Sequence, residues 1–177
     1  LPRVLQLLAD QAVSEEAKAL ALAVRPETDY EDVLRLLDQT DGARTMSALH
    51  GAPGFSGVKP VRELLDRADR GGSLNLPELM GIGDLLYSAR RAKEYFNADN
   101  MESTALDSLF LSLHGNRFLE DKIRRCIPDE NTVADAASPE LGDIRRRMRS
   151  ALAKSRQILQ KIISSPSYSK VLQENII

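Results

Sequence analysis

Seven basic side chains fall within residues 138–163: Arg145, Arg146, Arg147, Arg149, Lys154, Arg156 and Lys161, against only Glu140 and Asp143. Guanidinium and ammonium groups at this density suit the neutralisation of phosphates, the chemistry of a nucleic-acid-contacting arm. Arg145, Arg146, Arg147, Arg149 and Arg156 are the candidate contacts. The competing reading is a solvated helix face, or a surface docked on acidic helices. On the residues alone that second reading is preferred, because no aromatic side chain interleaves with the bases for stacking. Within the same segment Leu141, Ile144, Met148, Ala151, Ser155, Ile158 and Ile162 recur at alternating spacings of three and four. That is the heptad signature of a helix-packing seam.

Other chemistry is sparse. His50 and His114 each precede a glycine at an expected helix end, where capping of terminal carbonyls accounts for them. A single cysteine, Cys126, and the lack of H-x-x-x-H or C-x-x-C spacing argue against a zinc site. Cys126 lies in an apolar-patterned helix and reads as a buried thiol, not one activated by Arg124 and Arg125. Asp107 and Ser108 are sequence neighbours, so they point to different helix faces and form no nucleophile–base pair. Residues 50–57 carry three glycines and a proline but lack the G-x-x-x-x-G-K-[ST] spacing of a phosphate loop. Arg90, Arg91 and Lys93 are expected on the exposed side of their helix. No catalytic, cofactor-binding or metal-ligating residue is assigned. A small enzyme gripping an anionic metabolite through Arg90, Arg91 and Arg145 to Arg147 ranks last among the function classes, for want of a convergent acid–base set.

The 177 residues (19.6 kDa) suffice for one generous domain or two small helical lobes. Their net charge of −2 argues at first against nucleic acid. Residues 138–163 alone carry a net +5, however, leaving −7 for the remainder. A near-neutral average thus conceals a basic helix attached to an acidic body. Hydrophobic content of 42% with 28% charged residues excludes a disordered chain, and no apolar run approaches the roughly 20 residues that span a bilayer. One cysteine fits a reducing compartment, and the chain reads as cytoplasmic. It begins at Leu1 without Met and stops at an apolar Ile176-Ile177, which reads as a piece of a longer protein.

Leucine and alanine at spacings of three and four dominate, and alternating β-branched runs are nearly absent. The expected fold is all-α: a multi-helix core with one long projecting heptad-patterned helix. Ser14 caps a helix that Pro26 ends. A long helix follows from Asp29, with Val33, Leu36, Leu37, Ala43, Met46 and Leu49 on one face and a weak spot at Gly42. A short helix is expected from Pro60 to Arg70. Asn75 and Glu78 form a capping-box start, and Gly81 and Gly83 in the helix that follows suggest close packing by another. A shorter helix through Leu106, Leu109, Phe110 and Leu113, ending at Gly115, and another from Phe118 to Ile127 are expected. Residues 132–135 are the one β candidate. Ser138-Pro139-Glu140 then opens the basic helix, about 39 Å long at ~1.5 Å per residue.

Three stretches, with the order of the helices, carry a resemblance. They are Ala12-Val13-Ser14-Glu15 with Ala19-Leu20 and Arg25-Pro26; Arg70-Gly71-Gly72-Ser73-Leu74 leading to Ala89-Arg90-Arg91; and Ala137-Ser138-Pro139-Glu140-Leu141 with Ile144-Arg145. Leu36-Leu37 and Asp41 to Ala43 follow the first, and Tyr168, Leu172-Gln173 and Ile176 follow the last. Together they resemble the N-terminal core and lever region of the bacterial MutS-II family, MutS paralogues whose later domains include an ABC-type ATPase and usually a C-terminal Smr endonuclease domain. Gly81 and Gly83 depart from the uninterrupted helix of that pattern.

The resemblance implies a fragment of a homodimeric, ATP-dependent protein that acts on branched DNA to restrain recombination, with ribosome rescue also attributed to the family. ATP and Mg are expected in the full-length protein and not in this stretch, since none of the Walker or nuclease motifs has a match. Residues 1–136 are expected to form the helical core region. Residues 137–177 are expected to form the lever-type helix and a following short helix, cut before the clamp and ATPase regions. The function expected is a non-catalytic module that couples the ATPase to nucleic-acid gripping. The alternative is a purely structural interaction or dimerisation module that packs along Leu141, Ile144, Met148, Ala151, Ile158 and Ile162 without touching nucleic acid. Neither reading involves a membrane.

Overall fold

A computed structural model describes residues 2–55, 58–97 and 103–168. Among the described residues the chain forms eight α-helices: α1 (Pro2–Gln11), α2 (Glu15–Ala23), α3 (Tyr30–His50), α4 (Arg62–Asp69), α5 (Leu76–Phe96), α6 (Asp107–Leu111), α7 (Arg117–Cys126) and α8 (Pro139–Ile163), with a 3-10 turn at Asp135–Ala137. The fold is all-α. The β candidate at 132–135 comes down to one isolated bridge, between Asp129 and Thr132. There the Asp129 carboxylate accepts the Asn131 N–H at 2.9 Å, an Asx turn that doubles the chain back too tightly for a strand. The short helix expected to follow α8 lies outside the described residues beyond Tyr168.

Most helix starts are set locally. Ser14 Oγ accepts the Ala17 N–H, Asp29 accepts those of Glu31 and Asp32, Asn116 accepts that of Leu119, and Ser138 Oγ accepts that of Leu141. Each satisfies a donor that the first helical turn leaves without a partner. Asn75 and Glu78 complete the capping box in both directions, at 2.9 and 2.8 Å. Two boundaries differ from the sequence pattern. The helix α4 begins at Arg62, not Pro60, with buried Val61 at its cap position and no side-chain capping bond, so packing sets that start. The helix α6 stops at Leu111, where Ser112 Oγ donates to the Leu109 carbonyl at 2.7 Å and competes with another turn.

Two compact units divide the chain, Leu1–Thr132 and Val133–Ile177. In the first, α1 and α2 form a hairpin that buries Ala9 and Ala21. The centre of this unit is α5. One side of it packs Ala92, Tyr95 and Phe96 against Met46 of α3 and Phe110 of α6, with Leu106 and Leu113 around them. The Phe96 and Phe110 rings stack at 5.1 Å. Its other side takes α7, where a Cβ on Gly83 would stand 3.1 Å from Ile123 Cγ2. Close packing expected at both helix glycines therefore holds at Gly83 only; a Cβ at Gly81 would meet nothing within 4 Å.

The apolar face expected along α3 is buried at Met46, while Leu36, Leu37 and Leu49 stay exposed. Gly42 is the place where the chain after α5 comes close, since a Cβ there would lie 3.3 Å from Thr104. The end of α3 is capped by a residue other than His50: the Tyr95 hydroxyl lies 2.8 Å from the Gly51 carbonyl and 3.1 Å from that of Met46. Beyond α6, Lys93 rather than His114 serves a free carbonyl, donating to Leu113 at 3.2 Å. Cys126 is half-buried.

Candidate nucleic-acid interface

The second unit is built around α8. Ser138 and Pro139 start it, and Asp135 in the 3-10 turn fastens it. Arg145 Nη1 donates to Asp135 Oδ1 at 2.8 Å and to the Val133 carbonyl, and Arg149 donates to Asp135 Oδ2 at 3.2 Å. These hydrogen bonds, Arg145's first, hold the Asp135 carboxyl below the ordinary carboxylate range, against the smaller opposing effect of desolvation. Arg146 pairs one turn back with Asp143 at 2.5 Å. Of the five arginines singled out from the sequence, three are therefore engaged within the unit. Arg147 and Arg156, with Lys154 and Lys161, are exposed and have no ion-pair partner among the described residues.

Successive residues of a helix turn by about 100°, which sorts these bases into rows. Arg147, Lys154 and Lys161, seven residues apart, run along one edge of the apolar seam; Arg145, Arg149 and Arg156 run along the other. Arg146 faces away from the seam. The seam itself is largely uncovered: no residue of α8 is fully buried, Leu141 is half-buried, Ala151 and Ser155 are exposed, and Ile144, Ile162, Met148 (59%) and Ile158 (58%) expose apolar surface. Leu152 and Leu159, which the three-and-four spacing passes over, widen the same stripe.

The first unit holds a second cluster of arginines, and it corrects the expectation for Arg90. That side chain turns inward and makes paired 2.9 Å hydrogen bonds to Glu120 of α7, and a further one to Glu94 at 2.6 Å. Glu120 is 2% exposed. The Arg90 and Arg124 guanidinium groups lie 5.1 and 4.2 Å from the centre of the Tyr87 ring. Hydrogen bonds and charge from Arg90 lower the Glu120 carboxyl pKa despite the opposing desolvation. Arg91 is exposed on the helix surface as expected, pairing with Glu94, and Lys93 is half-buried. A cluster satisfied in this way ties α5 to α7. The i,i+4 spacings of Arg90 with Glu94 and Glu120 with Arg124 are visible in the sequence; the 30-residue link between Arg90 and Glu120 is not.

Among the described residues no three His, Cys, Asp or Glu side chains come together in a way that could hold a metal ion. The glycines at 51 and 54 follow the carbonyl end of α3, which repels phosphate where a helix N-terminus would attract it. No helix among the described residues is long and apolar enough to cross a membrane.

Fold and site together define an all-α chain whose longest helix carries an apolar heptad seam between two basic rows. No protein-family model matches it. It is 35% identical to Endonuclease MutS2 of Ruminiclostridium cellulolyticum and 34% identical to Endonuclease MutS2 of Acetivibrio thermocellus, in each case over 99% of this chain and 22% of the relative. Endonuclease MutS2 of Bacillus cereus is 32% identical over 86% of this chain and 20% of its own length. The resemblance read from the motifs holds: the chain is homologous to MutS2 along nearly all of its residues, and it spans about a fifth of the length of these relatives.

Proposed function

We propose that this chain is the N-terminal core and lever module of a MutS-like, ATP-dependent, DNA-binding protein of the cytoplasm. It holds no catalytic residue of its own and works within a homodimer whose ATPase and nuclease chemistry lies in other parts of the protein. Branched DNA, or a stalled ribosome, is the target that the family resemblance brings. The observation that carries the reading is the long basic helix α8 in a chain homologous to MutS2. The row formed by Arg145, Arg149 and Arg156 is the nucleic-acid-facing one, with Arg156 unpaired and the other two able to exchange Asp135 for phosphate. Fluorescence anisotropy with a four-way DNA junction at two salt concentrations tests it. Arg149→Ala with Arg156→Ala is expected to weaken binding and to reduce the salt slope by about two. Unchanged affinity would remove the phosphate contact.

A second reading, a structural interaction module without nucleic-acid contact, is favoured by a specific observation. Arg145, Arg146 and Arg149 already have carboxylate partners, while among the described residues much of the seam beside them stays exposed. Absence of junction binding at low salt, with α8 intact by circular dichroism, would select this reading.

A further inference from the structure

We infer that Asp135 is a built-in competitor for phosphate: its carboxylate fills the fork between Arg145 and Arg149, and a nucleic-acid phosphate entering that fork releases residues 133–137 from α8. The inference rests on the proposed contact between this basic row and nucleic acid, and adds how that contact is regulated and what it moves.

The geometry of the fork carries it. Asp135 gives one carboxylate oxygen to each arginine, Oδ1 to Arg145 Nη1 at 2.8 Å and Oδ2 to Arg149 Nη1 and Nη2, both at 3.2 Å. Two guanidinium groups thus converge on one two-oxygen anion. A phosphodiester offers arginine its two unesterified oxygens in the same forked manner. The pairs are also open to exchange: the Asp135 side chain is 45% exposed and that of Arg149 more so, and ion pairs in contact with water contribute little individually. Arg156 lies on the same row, about 10 Å beyond Arg149 at ~1.5 Å per residue, with no ion-pair partner among the described residues. A backbone lying along the row therefore meets one free base and one occupied fork.

What the carboxylate holds is a turn with few other polar attachments. Between Val133 and Ala137 it is the only polar side chain. The Val133 carbonyl accepts from the same Arg145 Nη1 at 2.5 Å, so a phosphate that takes Arg145 removes both ties. Gly142 shares a helix face with Arg145 and Arg149 and lets the turn lie close, since a Cβ there would stand 3.2 Å from the Asp135 carbonyl oxygen. The turn thus covers the start of the row. Docked turn and bound phosphate exclude each other at these two arginines, and by linkage each weakens the other by the same factor. Val133 is the first residue of the second unit, so the segment set free is the one that joins α8 to the preceding chain.

The chain with isotope-labelled alanine, titrated with a short-armed four-way DNA junction, tests this. The assigned amide signals of Ala134, Ala136 and Ala137 report the turn. In the wild-type chain, junction binding is expected to move them toward their positions in free Asp135→Asn; in Asp135→Asn the same junction moves them little. By anisotropy, Asp135→Asn is expected to bind the junction about threefold or more tightly than the wild type. Asp143→Asn withdraws the same charge from a pair with Arg146, outside the fork, and is expected to gain less. Equal gains from the two variants would mean general charge attraction, and wild-type binding with the alanine signals unmoved would mean that the turn stays docked. Either result overturns the inference and leaves the nucleic-acid reading standing. Absence of binding by the wild type and both variants at low salt, with α8 intact by circular dichroism, removes that reading and the inference together.

Discussion

Arg90 on α5 and Glu120 on α7 face each other through two hydrogen bonds of 2.9 Å, with Glu120 buried and Arg90 about a quarter exposed. The pair is asymmetric. Without Arg90, Glu120 keeps Arg124 at 3.8 Å as its one ion pair among the described residues, with a weaker influence from Arg117, and an ionised carboxylate stays buried with poor compensation. Without the Glu120 charge, Arg90 still has Glu94 and access to water. Arg90→Ala is therefore expected to destabilise the chain more than Glu120→Gln. Midpoints of urea unfolding, compared at equal slope, check this ordering; the reverse order would mean that the carboxylate is less confined than its burial implies.

Stability is expected to fall on the acid side. Glu120, Glu78 and Asp135 all titrate below their ordinary values, chiefly because Arg90, Arg67 and Arg145 respectively hydrogen-bond to them. A carboxyl group with a lowered folded-state pKa contributes stability above its unfolded value, near ~4, and loses it as the pH drops through the folded value. Thermal unfolding followed by circular dichroism should thus be flat from about pH 7 to 5 and weaken below about pH 4. The exposed pairs add little to this, so Glu120→Gln should flatten much of the acid limb. A chain as stable at pH 3 as at pH 7 would contradict the assignment.

The two glycines of α5 are expected to respond oppositely to alanine. At Gly81 a methyl group enters open space, and replacing a helix glycine with alanine gains about 1 kcal/mol. At Gly83 the same methyl group meets buried Ile123 at 3.1 Å, and crowding a packed contact costs about 1–3 kcal/mol. From urea midpoints at equal slope, Gly81→Ala should stabilise by about 1 kcal/mol and Gly83→Ala should destabilise by up to about 2 kcal/mol net. A gain at both positions would show that α7 yields easily.

Asp135→Asn separates the two readings of the basic helix. It withdraws the negative charge that holds Arg145 and Arg149. If the row they share with Arg156 contacts phosphate, the variant is expected to bind a DNA junction more tightly, with a steeper dependence on salt. If α8 serves only protein packing, junction binding stays absent and the α8 root alone is loosened. Anisotropy and helicity measured on the same samples give both answers.

Much of the helical layout is legible in the sequence because short-range rules write it. Ser14, Asp29, Asn75 and Ser138 announce helix starts with their own side chains, and three-and-four spacing marks the seam of α8. The errors share a physical origin. Arg90 reads as a solvated base because its partner is 30 residues away, and His50 reads as a cap because nothing local reveals that Tyr95 reaches the same carbonyls. Leu36 and Leu37 share an apolar face with Met46 yet stay exposed, because periodicity reports that a face is apolar and says nothing of what covers it. For the candidate interface, the rows of bases can be read from spacing alone; the role of Asp135 requires the fold of the turn that precedes α8.

Among the described residues the intrachain ion pairs of α8 all lie at or before Arg149. Some 14 residues, about 21 Å at ~1.5 Å per residue, extend beyond that point. A sideways load on that length is felt at its root as torque, with Ser138 and Asp135 as the fulcrum. The carboxylate that resists it, beside the Ser138 cap and the Val133 carbonyl, belongs to one aspartate placed in a three-residue turn outside the helix it steadies.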